Sequence, residues 1–268
     1  MCFKKIFPPK PELPVEQPYT GKTALLFARN DLPGSANDLK GCLNDQADVY
    51  SWLRTYYPEF TIYVFKEAQA IKKNFKEWFM KFKNQLRSGD DLFVHNSGHG
   101  TRGFDRQGEE ADGYSEGIYF ADGVLWDYEF REMLTGIPNG ARVTLALDIC
   151  HSGGAVSRTN DYFRNRFIET DKIPEGTKCK RSFLRDFDHK GILQFAACGE
   201  GQTAADAFIN GQYCGAFTYF WLKTFYEHQT CNGWIEATKR ACHDIAMYKQ
   251  IPELLLDEQM KQNPIFKS

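Results

Sequence analysis

The feature that most constrains the fold is a short apolar run at residues 142–149, which leads directly into Cys150 and a glycine-bearing loop. The run contains the β-branched residues Val143 and Thr144 and shows no polar alternation. This pattern is typical of a strand buried on both faces of a parallel sheet. Open parallel sheets place their functional sites at the carboxyl edge of the strands. The sequence therefore predicts such a sheet, with Cys150 at its carboxyl edge.

A second apolar run, residues 91–97, ends in the same way and offers His99 between two glycines. A free thiol is only slightly ionised at neutral pH, and a histidine within hydrogen-bond reach is the usual way to make it a nucleophile. His95 is also a candidate, but a histidine inside a strand is more often structural. Around His99 the flanking glycines let another group approach closely. We therefore predict His99 and Cys150 as the catalytic pair.

Acyl transfer also needs donors for the oxyanion of the tetrahedral intermediate. The backbone N–H groups of Gly100 and Cys150 could supply them, and we predict these two residues as the oxyanion hole. Asp45 falls in the first turn of a predicted helix, where favourable placement near the positive end of the helix dipole explains it without any function.

The remaining pattern alternates strands with helices. This alternation predicts an α/β fold, with an open and mostly parallel sheet covered by helices on both faces. The predicted strands are residues 22–29, 61–65, 91–97, 142–149 and 191–198. One predicted helix starts near residue 42, and the others cover residues 70–86, 126–134, 214–228 and 234–248.

Residues 1–20 are rich in proline and lysine, which predicts a flexible leader, although a docking arm or pro-segment is an alternative. The remaining residues, 21–268, are expected to form one domain. Within it, residues 155–190 are basic, lack periodicity and are too long for an ordinary connection. They predict a functional loop or cleavable linker.

The net charge of −2, from 33 basic and 35 acidic residues, gives no bias toward nucleic acid or a charged membrane surface. The eight cysteines show no metal-binding spacing, and no signal-like or membrane-spanning run is visible. We therefore expect a cytoplasmic protein. We also expect it to be a monomer. Residues 101–123 are rich in Gly, Asp and Glu, which could hold calcium. Their spacing matches no EF-hand, however, so an exposed acidic loop is the stronger prediction.

Five short motifs together resemble the metacaspase branch of the caspase-like cysteine peptidases. The resemblance covers roughly residues 22–225. It implies a caspase-like α/β/α sandwich, a His99–Cys150 dyad and hydrolysis after arginine or lysine. The motifs lie at residues 41–45, 97–100, 148–153, 202–207 and 215–218.

The resemblance also implies that Asp45, Ser97 and Asp148 line the pocket for the basic side chain of the substrate. This assignment has independent physical sense, because a buried guanidinium needs carboxylate partners. Caspases carry Gln-Ala-Cys where this chain has Asp-Ile-Cys, so cleavage after aspartate is not expected.

Many metacaspases bind calcium through acidic runs, which read here as residues 112–116 and 126–128. Two of the expected ligand positions lack a carboxylate, so the sequence assigns no metal site and no certain cofactor. Calcium activation is left open.

A second cysteine competes for the catalytic role. In caspases the histidine lies about 50 residues upstream of the cysteine, and both His99 before Cys150 and His151 before Cys198 meet that spacing. We prefer Cys150, because His99 stands on a Gly-His-Gly loop at a strand end, whereas His151 adjoins Cys150 and would point elsewhere.

The leading hypothesis is a cysteine endopeptidase acting on proteins or peptides with arginine or lysine at the cleavage site. A non-catalytic caspase-fold scaffold is the alternative. A nucleotide-binding protein would need a glycine-rich loop that residues 31–35 do not provide. The resemblance also places the junction between a large region, about 21–154, and a small region, about 191–268, in the basic segment 155–190. We further expect a zymogen that is cut in this linker. The candidate positions are Arg158, Arg164, Arg166, Lys178, Lys180, Arg181 and Arg185.

Overall fold

The chain is described from a computed structural model. The structure describes residues 12–32, 38–108, 113–150, 163–169, 190–198, 204–225, 230–243, 250–256, 260 and 262–266.

The described part contains helices and strands in alternation. In chain order they are β1 (Lys22–Ala28), α1 (Cys42–Tyr56), β2 (Thr61–Lys66), α2 (Lys72–Lys83), β3 (Asp91–Ser97), β4 (His99–Phe104), β5 (Tyr114–Phe120), β6 (Gly123–Trp126), α3 (Asp127–Leu134), β7 (Arg142–Asp148), β8 (Phe163–Asn165), β9 (Phe167–Glu169), β10 (Ile192–Ala196), β11 (Ala205–Ile209), β12 (Gln212–Gly215), α4 (Ala216–Thr224), α5 (Cys231–His243) and β13 (Glu253–Leu256).

The central sheet has six strands in the order β13-β10-β7-β3-β1-β2. The pairings of β2 with β1, β1 with β3, β3 with β7 and β7 with β10 are all parallel. Only the edge strand β13 is antiparallel to its neighbour. The prediction of a mostly parallel sheet is therefore confirmed. The apolar run that ends before Cys150 forms a strand buried along its whole length.

Helices cover both faces of this sheet, as the alternating pattern predicts. On one face α1, α4 and α5 bury an aromatic cluster that includes Trp52, Trp221 and Trp234, with the last two rings stacked 4.3 Å apart. We call the buried residues on this face the α1-side core, which also contains Cys150 and Cys198. On the other face α2 and α3 pack Phe75, Phe79 and Phe130 against the sheet. These two cores bury the apolar surface that stabilises the sandwich.

Two small sheets extend from the carboxyl edge, in the orders β6-β5-β4-β9 and β12-β11-β8. The prediction of an exposed acidic loop at 101–123 is therefore wrong, because most of this segment forms β4, β5 and β6. Ile118, Phe120 and Leu125 from these strands are buried in the core of the α2 face. The prediction failed because it rested on the glycine and acidic residues of the segment. Residues 114–120 form a strand through their pairing with β4, which composition alone does not show.

The described part of the predicted leader, residues 12–20, lies against the domain. The N–H of Gln17 donates to the Tyr63 hydroxyl at 2.9 Å, and the Tyr19 hydroxyl donates to Asp90 at 2.7 Å. Tyr19 also stacks on Phe82. Residues 12–20 are therefore anchored rather than free, whereas residues 1–11 lie outside the described part. Among the described residues no helix is long and apolar enough to cross a membrane.

Candidate active site

The strand register brings the two predicted catalytic residues to the same place. Ser97 at the end of β3 pairs with Asp148 at the end of β7, and His99 and Cys150 each follow two residues later. The N–H of Gly98 approaches the Asp148 carbonyl at 3.4 Å. His99 opens β4 and is 4% exposed, and Cys150 is fully buried. The imidazole and the thiol therefore leave neighbouring strands at the carboxyl edge.

The backbones of Gly100 and Cys150 are in direct contact. A Cβ added to Gly100 would lie 1.7 Å from the carbonyl oxygen of Cys150, closer than any real contact. A Cβ on Gly98 would meet nothing nearer than an Asn96 side-chain nitrogen at 3.9 Å. The second glycine of the Gly-His-Gly loop is therefore required by close approach of backbone to backbone, and the first is not.

This difference gives a testable prediction for Gly100→Ala. The added methyl group must displace the Cys150 backbone, so we expect the free energy of unfolding to fall by at least about 2 kcal/mol. For a domain of this size the melting temperature should then drop by roughly 4–8 °C. Thermal unfolding followed by circular dichroism measures both quantities. Gly98→Ala is the matched control and should melt within about 2 °C of the wild type. Equal melting temperatures for the two variants would contradict the described approach.

Four polar side chains surround one arginine in a fully buried site. The residues predicted to line the substrate pocket, Asp45, Ser97 and Asp148, come together there, and Asp206 joins them. At their centre lies the guanidinium of Arg166, which is completely buried. Its Nη2 lies 2.7 Å from Asp45 Oδ2 and 3.2 Å from Asp206 Oδ1. Its Nη1 lies 2.6 Å from Ser97 Oγ and 3.2 Å from Asp148 Oδ1.

Each carboxylate is also fixed by partners of its own. Asp45 accepts hydrogen bonds from the Gly215 N–H at 2.7 Å and the Ser97 hydroxyl at 2.7 Å. Asp148 Oδ2 accepts both the N–H and the hydroxyl of Thr218. The geometry of the pocket is therefore held by backbone and side-chain donors from several elements, rather than by the arginine alone.

Asp206 is held by the backbone on the N-terminal side of α1. It accepts the N–H groups of Lys40 at 2.8 Å and Gly41 at 2.9 Å. A Cβ on Gly41 would lie 2.4 Å from its carboxylate, and one on Gly215 would lie 2.0 Å from the Asp148 carboxylate. Both glycines belong to motifs noted in the sequence, and close approach to a pocket carboxylate explains each of them.

The charged groups of this pocket alter one another's pKa values. Burial raises the pKa of Asp45 to about 7, and the nearby Asp148 adds to this effect, while the Arg166 guanidinium opposes it. Burial also disfavours the charge of Arg166, but Asp148, Cys42, Asp45 and Asp206 together hold its pKa well above its ordinary value. The pocket therefore stabilises a buried cation and, without one, would tend to take up a proton.

The backbone of Arg166 is held on both sides. Its carbonyl accepts the N–H of Gly100 at 2.8 Å, and its own N–H donates to the Ala204 carbonyl at 3.2 Å. Before it, β8 pairs antiparallel with β11, and after it, β9 pairs parallel with β4. Residues 163–169 thus cross the carboxyl edge as an extended strand that joins the two small sheets.

Two residues of this site were not assigned to the pocket by sequence reasoning. Asp206 belongs to the run 202–207, which was noted as a motif without a role for this carboxylate. Arg166 was only one of seven candidate basic residues in the linker. The pairing of β8 with β11 and of β9 with β4, which a single sequence does not reveal, distinguishes Arg166 from the others.

His95 lies two residues before Ser97 in β3 and is fully buried. Neither ring nitrogen has a hydrogen-bond partner among the described residues. Burial lowers the pKa of His95 to about 3, and the positive charge of Arg166 contributes. A neutral imidazole held in the strand fits a structural role better than that of a catalytic base, in agreement with the preference for His99.

The competing cysteine, Cys198, follows β10 and is 3% exposed in the α1-side core. The N–H of Ala197 donates to the Leu147 carbonyl at 3.0 Å, so Cys198 leaves the same sheet edge as Cys150. Its proposed partner, His151, lies outside the described residues. The close backbone approach of Gly100, the neighbour of His99, is made by Cys150.

The residues implied for calcium do not form a described metal site. Asp112 lies outside the described residues, and Asp127 accepts the Tyr128 N–H and pairs with Arg131 at 3.5 Å. No group of three or more potential ligands among the described residues is arranged to hold a metal ion. Calcium activation is therefore still open, and no step of the proposed chemistry depends on it.

The chain is similar to a known protein family and to several of its members. Residues 22–158 match the family model described as "Metacaspase, peptidase C14 domain". The chain is 36% identical over 197 residues to Metacaspase-7 of Arabidopsis thaliana, an alignment that covers 68% of this chain and 47% of that protein. It is 24% identical over 288 residues to Metacaspase-1 of Candida glabrata, covering 88% of this chain and 72% of that protein. The chain thus spans about half the length of the Arabidopsis relative.

Solved structures share the fold. A Geobacter sulfurreducens protein superimposes with a TM-score of 0.69 at 23% identity, covering 91% of this chain and 98% of that one. Caspase-1 from Spodoptera frugiperda gives a TM-score of 0.60 at 14% identity, covering 96% of this chain and 97% of that one. The predicted caspase-like sandwich is therefore confirmed.

Proposed function

Since the chain belongs to the metacaspase family of C14 peptidase domains, we propose that it is a cysteine endopeptidase that hydrolyses peptide bonds after arginine or lysine. Its substrates would be proteins or peptides that present such a residue in an extended segment. In this proposal His99 and Cys150 carry the chemistry, and Asp45, Ser97, Asp148 and Asp206 bind the basic side chain.

The main support for the proposal is the way in which the chain binds its own Arg166. The side chain fills the acidic pocket, the N–H pairs with Ala204, and the carbonyl accepts the Gly100 N–H at 2.8 Å. A substrate residue before a scissile bond needs these three contacts, because its side chain must be recognised and its carbonyl polarised. Arg166 therefore serves as an internal stand-in for the basic residue of a substrate.

The proposed reaction follows from these positions. The Cys150 thiolate attacks the carbonyl carbon of the basic residue, and the resulting oxyanion is stabilised by the Gly100 N–H. The His99 imidazolium then donates its proton to the leaving amine as the carbon–nitrogen bond breaks. Water, deprotonated by His99, then attacks the thioester carbonyl. The carbon–sulfur bond breaks, the new carboxyl group leaves, and the Cys150 thiolate and His99 imidazolium are restored. The N–H of Cys150 itself is the second proposed oxyanion donor.

The charge of the pocket supports basic specificity. Three carboxylates and one hydroxyl surround the guanidinium, and two terminal nitrogens meet separate partners. Arginine presents a planar fork of donors that fits such an arrangement, whereas lysine presents a compact charge on a shorter reach. An aspartate substrate would place a fourth carboxylate in the same buried site. We therefore expect cleavage after arginine to exceed cleavage after lysine, with none after aspartate.

The same contacts support a latent resting state. As long as Arg166 occupies the pocket, an external arginine must compete with a tethered one. Cleavage of the Arg166–Phe167 bond would separate β8 from β9 and allow both segments to leave. We propose Arg166 as the processing site among the candidate residues of the basic linker.

A panel of short reporter peptides tests the proposed function. Matched peptides ending in arginine, lysine or aspartate, each with a fluorogenic amide, would be incubated with the full chain in the presence and absence of calcium. We expect turnover of the arginine and lysine peptides, with kcat/KM at least about 100-fold above that of the aspartate peptide, because an unpaired buried charge costs several kcal/mol. Preferential hydrolysis after aspartate would contradict the proposal. If the linker is first nicked and none of the peptides is then hydrolysed, the result would favour the scaffold alternative.

A further inference from the structure

The strand that follows Arg166 occupies an edge that a substrate could use. In the sheet ordered β6-β5-β4-β9, the short strand β9 is the partner of β4 on the side away from β5. The register pairs Gly100 with Phe167, Thr101 with Ile168 and Arg102 with Glu169. If β9 left after cleavage, residues 100–102 would become an open strand edge, which is a template for an extended peptide.

The contacts of β9 continue directly from the oxyanion contact. The bond from the Gly100 N–H to the Arg166 carbonyl is the first of the parallel pairing. In an evenly spaced parallel ladder the next bond runs from the N–H of Ile168 to the carbonyl of Gly100. The hydroxyl of Thr101 also donates to the Ile168 carbonyl. The first residues of β4 therefore hold both the carbonyl before the proposed scissile bond and the backbone after it.

The first residue after the scissile bond meets an apolar surface. Phe167 is half-buried and packs against the α1-side core, which contains Cys150, Cys198 and Ala204. An apolar or aromatic side chain at this position gains from burial, whereas a charged one would lose its hydration without gaining a partner among those core residues. The chemistry of this position thus differs sharply from that of the acidic pocket one residue earlier.

From these contacts we propose that the edge of β4 at Gly100–Arg102 is a substrate-binding strand for the residues that follow the scissile bond. Its ligand is an extended polypeptide with an apolar residue directly after the cleaved bond, and it aligns parallel to β4. The inference rests on the proposed function, since it assumes that Arg166 marks the residue before the scissile bond. It adds that recognition extends at least two residues beyond that bond.

Backbone N-methylation tests this inference on the substrate side. The substrate is an internally quenched peptide with the sequence Phe-Ala-Asn-Arg-Phe-Ile-Glu, which copies residues 163–169 but has alanine in place of Arg164, so that one cleavage site is left. One version is N-methylated at isoleucine and its matched control is N-methylated at glutamate. In a parallel strand the first of these N–H groups faces β4 and the second faces away.

We expect N-methylation at isoleucine to lower kcat/KM for the wild-type chain by at least about 10-fold, because a hydrogen bond is lost and a methyl group clashes with the strand. N-methylation at glutamate should change it by less than about twofold. All peptides compete equally with the chain's own segment, so the ratios are independent of its occupancy. Mass spectrometry of the products identifies the cleaved bond.

The possible results separate the two proposals. Cleavage after arginine with equal effects of the two N-methyl groups would overturn the substrate-binding strand but leave the proposed function standing. Cleavage of a short arginine amide without cleavage of the unmodified heptapeptide would do the same. Failure of every peptide to be cut after arginine would overturn the proposed function, and the inference with it.

Discussion

Replacing Cys150 by alanine should reduce hydrolysis of an arginine reporter peptide by at least about 10⁴-fold, since removing the nucleophile of a peptidase leaves only binding and oxyanion stabilisation. Cys150 is fully buried at the end of β7, and its sulfur is small, so the alanine variant should keep the fold. Initial rates with the reporter, together with thermal unfolding, measure the two effects separately. The melting temperature should stay within a few degrees of the wild type, because a single small core truncation costs about 1–2 kcal/mol.

Cys198→Ala is the matched control for this variant. Cys198 leaves the adjacent strand of the same sheet edge and lies in the same core, so its truncation should have a similar effect on stability. It should keep reporter activity within a few-fold of the wild type. Loss of activity in Cys198→Ala with retention in Cys150→Ala would reverse the assignment of the nucleophile.

The second large effect is expected for Arg166→Ala, which should raise kcat/KM for a short arginine reporter by roughly 10-fold or more. The tethered arginine competes at an effective concentration on the order of millimolar, and the variant removes this competitor. It should also remove the lag that we expect of the wild type while its linker is being cut. Progress curves from freshly purified protein measure both the lag and the final rate.

Stability should move in the opposite direction. Without Arg166 the carboxylates of Asp45, Asp148 and Asp206 face one another in a buried site, which costs about 3–5 kcal/mol and should lower the melting temperature by about 6 °C or more. Arg164→Ala is the control, because Arg164 is only half-buried and its described contact is one bond to the Asp38 carbonyl at 2.6 Å. A folded Arg166→Ala variant that is no more active than the wild type toward the reporter would contradict the competitor role.

Much of the central sheet and of the candidate site could be predicted from the sequence, because local sequence patterns indicate them. The apolar runs before Cys150 and His99 identified two central strands, and parallel topology then required their ends to meet at one edge. The glycines around His99 indicated a close approach, which the contact between Gly100 and Cys150 explains. The resemblance to metacaspases named Asp45, Ser97 and Asp148 together, although they lie in three different elements.

The parts that could not be predicted depend on pairing between distant segments. Strands β8 and β9 have three residues each and show no periodicity of their own, so no local pattern separates Arg166 from the other basic residues of the linker. Residues 101–123 were predicted as a loop from their composition, yet cross-strand pairing with β4 folds most of them into a sheet. In both cases tertiary contacts override a weak local preference.

The mass of the chain's own cleavage products would show whether Arg166 is bound as a substrate. The wild-type protein, incubated at working concentration, should yield a fragment whose new N-terminus is Phe167, and Cys150→Ala should yield none. This result would show that the bond held by Gly100, Ala204 and the acidic pocket is the one that the enzyme cuts. Cleavage only at other linker positions, or the same Phe167 fragment from Cys150→Ala, would contradict the binding of Arg166 as a substrate.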